Sequence, residues 1–208
     1  MGHREDLLEG AKRCLLEKGY ARTTARDIVA ASGTNLASIG YHYGSKEALL
    51  NLAFLKVTEE WGDVLIEKPD EGADGGGESR SPLDQFRDTW QRVIDSYAES
   101  RSVWKLQMEV VSRIDQDPEL RKALMGPQRD GRDGLAESML GIDPEEDPEK
   151  ARVTGLFCQA LLVGVMVQWM MDTESAPSAQ DLTDGLKAVL EGRADQGLSF
   201  GSDPASPA

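Results

Sequence analysis

The chain has 208 residues, of which 39% are hydrophobic and 29% charged, with a formal net charge of −14. That length holds one or two domains, and that composition supports a soluble core rather than a membrane-embedded one. So acidic a chain argues at first against a nucleic-acid partner, but the charge is uneven: residues 1–56 carry eight Lys/Arg and six Asp/Glu, and the remainder carries 15 and 31. A mildly basic head thus precedes an acidic body, and an acidic body repels DNA and favours docking through the head alone. The opening stretch from Arg4-Glu5-Asp6 is charged and then amphipathic. It does not read as a secretory leader, and a cytoplasmic location is expected. Cys14 and Cys158 lie far apart in apolar stretches and read as buried free thiols. With His3 and His42 they do not make a typical zinc set, so neither a metal nor a cofactor is expected.

Gly and Pro punctuate a chain that otherwise reads as helix, and no run alternates with period two. A first helix is predicted from about Glu5 to Lys18, with Leu7, Leu8, Ala11, Cys14 and Leu15 as its apolar stripe and Lys18-Gly19 as its end. A second begins after Thr24, where Thr24-Ala25-Arg26-Asp27 resembles a capping box, and closes at Ser32-Gly33. A third spans about Leu36–Tyr41. Ser45 caps a fourth, which continues through Leu49, Leu52, Ala53 and Leu55 toward Leu65. Residues 67–81 are polar and glycine-rich and are expected to form a flexible loop. Helix resumes at Pro82 with Phe86, Trp90, Val93, Ile94 and Tyr97 on its buried face. Another carries Val103 to Ile114 and is interrupted at Asp117-Pro118. A further helix falls within 119–140, with a break expected at Gly126-Pro127. Val153–Met171 follows, then a last helix after Pro177 with Leu182, Leu186, Val189 and Leu190 on one side. A disordered tail is expected over 197–208. The predicted fold is all-α, with a head of about 1–50 and a helical body of 51–196.

Thr24 to Leu49 packs helix, glycine turn, short helix, Gly-Ser cap and helix into under thirty residues. That is the spacing of a helix-turn-helix. Gly33 stands at the turn, where close crossing of the two helices calls for a small residue. Ile28, Val29, Leu36 and Ile39 supply inward apolar groups. Asn35, Ala37, Ser38, Gly40 and Tyr41 give the third helix a compact outer face suited to a groove ~12 Å wide. Lys46 adds a cation to a helix N-terminus, and both attract phosphate.

The run Gly33-Thr34-Asn35-Leu36-Ala37-Ser38-Ile39-Gly40-Tyr41-His42-Tyr43-Gly44-Ser45-Lys46-Glu47-Ala48-Leu49 resembles the recognition-helix signature of TetR-family regulators. Gly19-Tyr20, Thr23-Thr24 and Arg26-Asp27-Ile28 match the family's approach to it. The resemblance covers roughly 5–55. It implies that Thr24 meets a DNA phosphate, and that Asn35, Leu36, Ala37 and Ser38 read base edges. It also implies that Tyr41 and His42 meet the sugar-phosphate backbone and that Lys46 binds phosphate. Val29, Leu36 and Gly40 depart from the usual alanine, cation and aromatic residue. Gly40 costs a short helix up to ~1 kcal/mol, which predicts a recognition helix that orders fully only on DNA. Leu36 shifts weight from guanine reading to contact with thymine methyls.

Val153–Met171 is apolar on almost every face, so every face should be buried. As a membrane span it is slightly short, holds two glutamines and lacks basic flanks, so no membrane partner is expected. Burial against a partner subunit fits better. The resemblance implies a homodimer through a four-helix bundle of about 148–172 and 178–194. It also implies a small apolar or amphipathic ligand in the body, for which Trp90, Trp104, Met108, Met139, Phe157, Met166 and Trp169 are candidate lining residues. Glu109, amid apolar neighbours, reads as a residue of a solvated face rather than a pocket group. No phosphate-cradling glycine loop, metal-spaced ligand set, Gly-x-Ser-x-Gly elbow or histidine-based triad is present, so the chain does not read as an enzyme. The expected function is a transcriptional regulator that represses from a palindromic operator and is released by its ligand. The alternative is a ligand-independent repressor with a purely structural body.

Overall fold

The computed structural model of the chain describes residues 2–66 and 81–194. Nine helices and no strand occur among the described residues. In chain order they are α1 (His3–Lys18), α2 (Ala25–Ser32), α3 (Leu36–Tyr43), α4 (Lys46–Ile66), α5 (Pro82–Glu99), α6 (Arg101–Arg113), α7 (Pro118–Leu140), α8 (Pro148–Met171) and α9 (Ala179–Ala194). The expected loop at 67–81 falls outside the described residues except for Ser81, which caps α5 by accepting from the Asp84 amide at 3.2 Å. The expected tail at 197–208 falls outside them altogether.

Local signals set most helix ends. α2 starts at a complete capping box. The Thr24 hydroxyl accepts from the Asp27 amide at 3.2 Å, and the Asp27 carboxylate accepts from the Thr24 amide at 2.8 Å. Asp117 and Asp147 cap α7 and α8 by accepting from Leu120 and Lys150. The break expected at Gly126-Pro127 does not occur, since α7 runs unbroken with Pro127 inside it. Proline removes one i→i−4 bond and crowds one carbonyl. Here it lies on an exposed face of a long helix, where nothing else is displaced.

Two buried clusters organise the packing. The first joins Leu7, Ala11, Leu15 and Ile28 to Ile39, to Leu49, Leu50, Phe54 and Val57 of α4, and to Leu106 and Val110 of α6. The second joins Phe86, Trp90, Val93 and Tyr97 of α5 to Trp104 and to Leu162, Val165 and Met166 of α8. α6 therefore belongs to both clusters, with Trp104 in one and Leu106 and Val110 in the other.

Close approach at α1–α2 depends on Gly10. A Cβ there would stand 2.9 Å from Ser32 Cβ and 3.1 Å from the Ile28 carbonyl oxygen. Gly33, expected to allow the close crossing of α2 and α3, has open space where its Cβ would be. Its glycine is required for another reason: φ is 68°, the left-handed cap that closes α2.

Glu109 is not on a solvated face. Its two carboxylate oxygens accept from the backbone N–H of Tyr20 at 3.0 Å and of Ala21 at 2.7 Å. It thereby ties α6 to the turn between α1 and α2.

Candidate nucleic-acid interface

The outward side of α3 follows from helical spacing. Leu36, Ala37, Gly40 and Tyr41 are exposed at i, i+1, i+4 and i+5, whereas Ile39 is buried at 5% exposure. Leu36 is 53% exposed, so it does not contribute to the inward face expected of it. It stands three residues before Ile39 and on the same side of the helix, but it opens α3 and is exposed at the rim of the buried face. α3 is continuous through Gly40. Asn35 caps it, with the side-chain oxygen accepting from the Ser38 amide at 3.1 Å. The Asn35 oxygen is thus committed locally, while its amide NH2 has two hydrogens to donate.

Tyr41 is 85% exposed, the most exposed large side chain on this surface. Its ring meets His42 edge-on at a centroid distance of 4.8 Å. Tyr43 turns the other way. It packs against the first cluster and donates its phenol hydrogen to the Arg4 carbonyl at 2.5 Å. Lys46 opens α4 with its ammonium 3.3 Å from Glu47. Ser45 caps that helix by accepting from the Ala48 amide at 3.0 Å. The starts of α3 and α4 bound the exposed α3 surface along the chain, each with first-turn amides that lack intrahelical partners.

The Thr24 hydroxyl is fully engaged. It accepts within the cap and donates to Asp27 Oδ2 at 2.6 Å. Asp27 also takes a hydrogen bond from the Lys18 ammonium at 2.6 Å. The lysine first, and Thr24 second, hold the Asp27 carboxyl well below the usual carboxylate range. A phosphate at this end of α2 would meet backbone amides rather than a free hydroxyl.

The candidate pocket residues divide. Trp90, Trp104 and Met166 are at most 1% exposed, and Met108, Met139 and Trp169 pack against them. Trp104 meets Trp61 at 4.3 Å and Tyr97 at 5.2 Å between ring centroids. Among the described residues, the indole N–H groups of Trp61, Trp90 and Trp104 are buried without a hydrogen-bond partner. Phe157 does not join this group. It is 46% exposed on the outer side of α8, with Val153, Leu156, Val163 and Met171. The inner side of the same helix buries Ala151, Gly155, Cys158, Leu162, Val165 and Met166. α8 is thus covered on one side only within a single chain, not on all sides. Val189 and Leu190 of α9 are exposed as well.

Residues 7–53 match the profile of the bacterial regulatory proteins of the tetR family. In this head the chain is similar to the TetR family. Within the head it is 44% identical over 46 residues to the HTH-type transcriptional repressor AcnR of Corynebacterium efficiens, covering 22% of this chain and 24% of AcnR. It is 32% identical over 95 residues to the HTH-type transcriptional repressor KstR2 of Rhodococcus jostii, covering 46% of this chain and 45% of KstR2. The matched segments thus span less than half the length of these curated relatives. The likeness in fold extends beyond the head. The multidrug binding protein EbrR complexed with proflavin superposes with a TM-score of 0.62 at 18% identity, over 90% of this chain and 99% of that one. Salmonella enterica GusR gives 0.59 at 20% identity, over 91% and 94%. A TetR transcription regulator from Haloarcula marismortui gives 0.55 at 15%, over 93% and 97%.

Proposed function

We propose that the chain is a DNA-binding transcriptional repressor that reads a palindromic operator as a homodimer. Residues 1–50 form the reading head in this account, and 51–196 the dimerisation and ligand-binding body. The observation that carries it is the exposed α3 surface of Leu36, Ala37, Gly40 and Tyr41, flanked by helix starts and by Lys46. Leu36, Ala37, Asn35 and Ser38 meet base edges, and Tyr41, His42 and Lys46 meet the backbone. At Thr24 the contact is made by the amides of the α2 start.

The partner subunit covers the outer side of α8 together with α9. Val153, Leu156, Phe157 and Val163 repeat at helical spacing and leave a stripe too apolar for solvent. A 24-residue helix of mean hydropathy 1.6 is also long and apolar enough to cross a membrane. Its inner face, seated on α7 and in the second cluster, favours the soluble dimer. A twofold dimer sets two heads about one helical turn apart, ~34–36 Å.

Release by a small ligand is the further part of this reading. The buried indole N–H donors of Trp61, Trp90 and Trp104 support a ligand with hydrogen-bond acceptors in an aromatic surround. The close packing of Trp61, Tyr97 and Trp104 favours the second reading, in which the body is a scaffold and no ligand releases the heads. Selection of duplexes from random DNA tests the core proposal. Enriched inverted repeats support it, and no enrichment over the input rejects it. A thermal-shift screen of small aromatic compounds separates the two accounts of the body.

A further inference from the structure

The backbone of the α1–α2 turn is held from the body by one carboxylate. α1 ends at Lys18, and Gly19 turns the chain out of the helix at φ 84°. The next two N–H groups, of Tyr20 and Ala21, point away from α1, and Glu109 receives both, one on each oxygen. An ionised carboxylate has acceptor sites on two oxygens and no donor, which suits a pair of adjacent amides. Gly19 is required twice over. Its φ is one that side chains rarely adopt, and a Cβ there would overlap Glu109 Oε2 and stand 3.4 Å from its Cδ.

The grip extends to the Tyr20 side chain. Its ring is 4% exposed, and its phenol donates to Asn51 Oδ1 of α4 at 2.6 Å. Arg113, one turn beyond Glu109 on α6, lies over the same ring at 5.5 Å. α6 therefore holds the turn by its backbone and by its ring, while α4 holds the phenol. Thr23 and Thr24 follow directly and begin α2, on which α3 packs.

We infer that Glu109 is a positioning residue for DNA reading. It fixes the angle at which each head is presented, and it acts beside Leu106 and Val110, through which α6 also packs on the head. This rests on the proposal that the chain reads DNA as a dimer. Two heads fixed in angle recognise one separation of half-sites. Heads released from α6 tolerate several. A movement of α6 along its axis carries the carboxylate with it and rotates the turn.

Glu109→Gln is the discriminating change, because it keeps the shape. One amide of the turn then faces the new NH2 group, donor to donor, and loses its acceptor. Glu109→Ala removes both acceptors and serves as the stronger variant. The full-length chain is compared as wild type and both variants in two assays. Amide hydrogen exchange reads the turn directly. Binding to a duplex selected from random DNA by the wild type, and to the same duplex with the spacer one base pair longer or shorter, reads the head angle. The expected result is exchange at Tyr20 and Ala21 faster by about tenfold, and discrimination between spacers weaker by about fivefold, the coupling range typical between linked sites. The melting temperature of Glu109→Gln should stay above the assay temperature, so that loss of fold does not explain the change. Unaltered exchange at Tyr20 and Ala21 overturns the clamp. Faster exchange with unaltered spacer preference overturns its positioning role. Failure of the wild type to select any duplex sinks the DNA-reading proposal and, with it, the use assigned to the clamp.

Discussion

Gly155→Ala isolates the closest helix approach in the body. Gly155 lies on the buried side of α8, and a Cβ there would stand 2.9 Å from the carbonyl carbon of Arg132 on α7, and overlap the attached oxygen. Carbon contacts settle at ~3.5–4.0 Å, so the two backbones must part by roughly 1 Å. Neither can yield as a side-chain tip would, because both atoms belong to helix backbone. Alanine gains ~1 kcal/mol of helix propensity over glycine. Overpacking a close seam costs ~1–3 kcal/mol or more, and a backbone overlap belongs at the upper end. The net is a loss of about 2 kcal/mol, or roughly 4–8 °C in Tm for a chain of this size. Gly131→Ala on exposed α7 surface is the reference, since its Cβ would meet nothing within 4 Å. It should raise Tm by roughly 2–4 °C. Melts followed by circular dichroism, at one protein concentration because a dimer's Tm depends on it, give both numbers. Equal rises in the two variants would refute the α7–α8 contact at Arg132.

Phe157→Glu combined with Val163→Glu should convert the proposed dimer to a folded monomer in sedimentation equilibrium, because both side chains are exposed on α8. A wild-type mass would remove the α8 stripe from the interface. Asp27→Asn should flatten the acid limb of the stability curve. The native carboxyl is held low by Lys18 and then Thr24, so its contribution is present above the unfolded value of ~3.9 and is lost as pH falls toward the lower native value. Urea melts from pH 5 downward should converge for the two proteins as acid protonates Asp27, and parallel curves would exclude this role. Burial pushes the Cys158 thiol up to about 11, and it is 1% exposed. Native protein at pH 8 should therefore leave Cys158 unlabelled by a thiol reagent that reacts at once in denaturant; rapid native labelling would contradict the burial.

The helix boundaries were largely legible because they are written locally. The capping residues of α2 and α7, and the glycine that closes α2, all act within four residues of the ends they set. The face of α3 was legible in part. Ile39 and Tyr41 point as periodicity expects, whereas Leu36 turns outward because the first residue of a short helix has little packed beside it. What escaped depends on residues far apart in sequence. Gly10 carries no signal of its need for space until Ser32 is placed against it. Glu109 looks like a surface acid within α6, and its partners are two backbone amides almost ninety residues earlier, which no side-chain pattern advertises. Pro127 misled in the opposite sense, since a local breaker was absorbed by a long helix. Phe157 was assigned inward because α8 is apolar throughout; only the placement of α7 distinguishes its covered side from its open one.

The most direct test of the DNA-reading head is fluorescence anisotropy of wild type and Lys46→Ala on a duplex selected from random DNA, against a scrambled duplex of equal length, over a series of salt concentrations. Sub-micromolar binding that prefers the selected duplex, falls with salt, and loses about one unit of salt slope in Lys46→Ala is the predicted result. Equal affinity for selected and scrambled duplexes, or binding indifferent to salt, would contradict a base-reading α3 with Lys46 on phosphate.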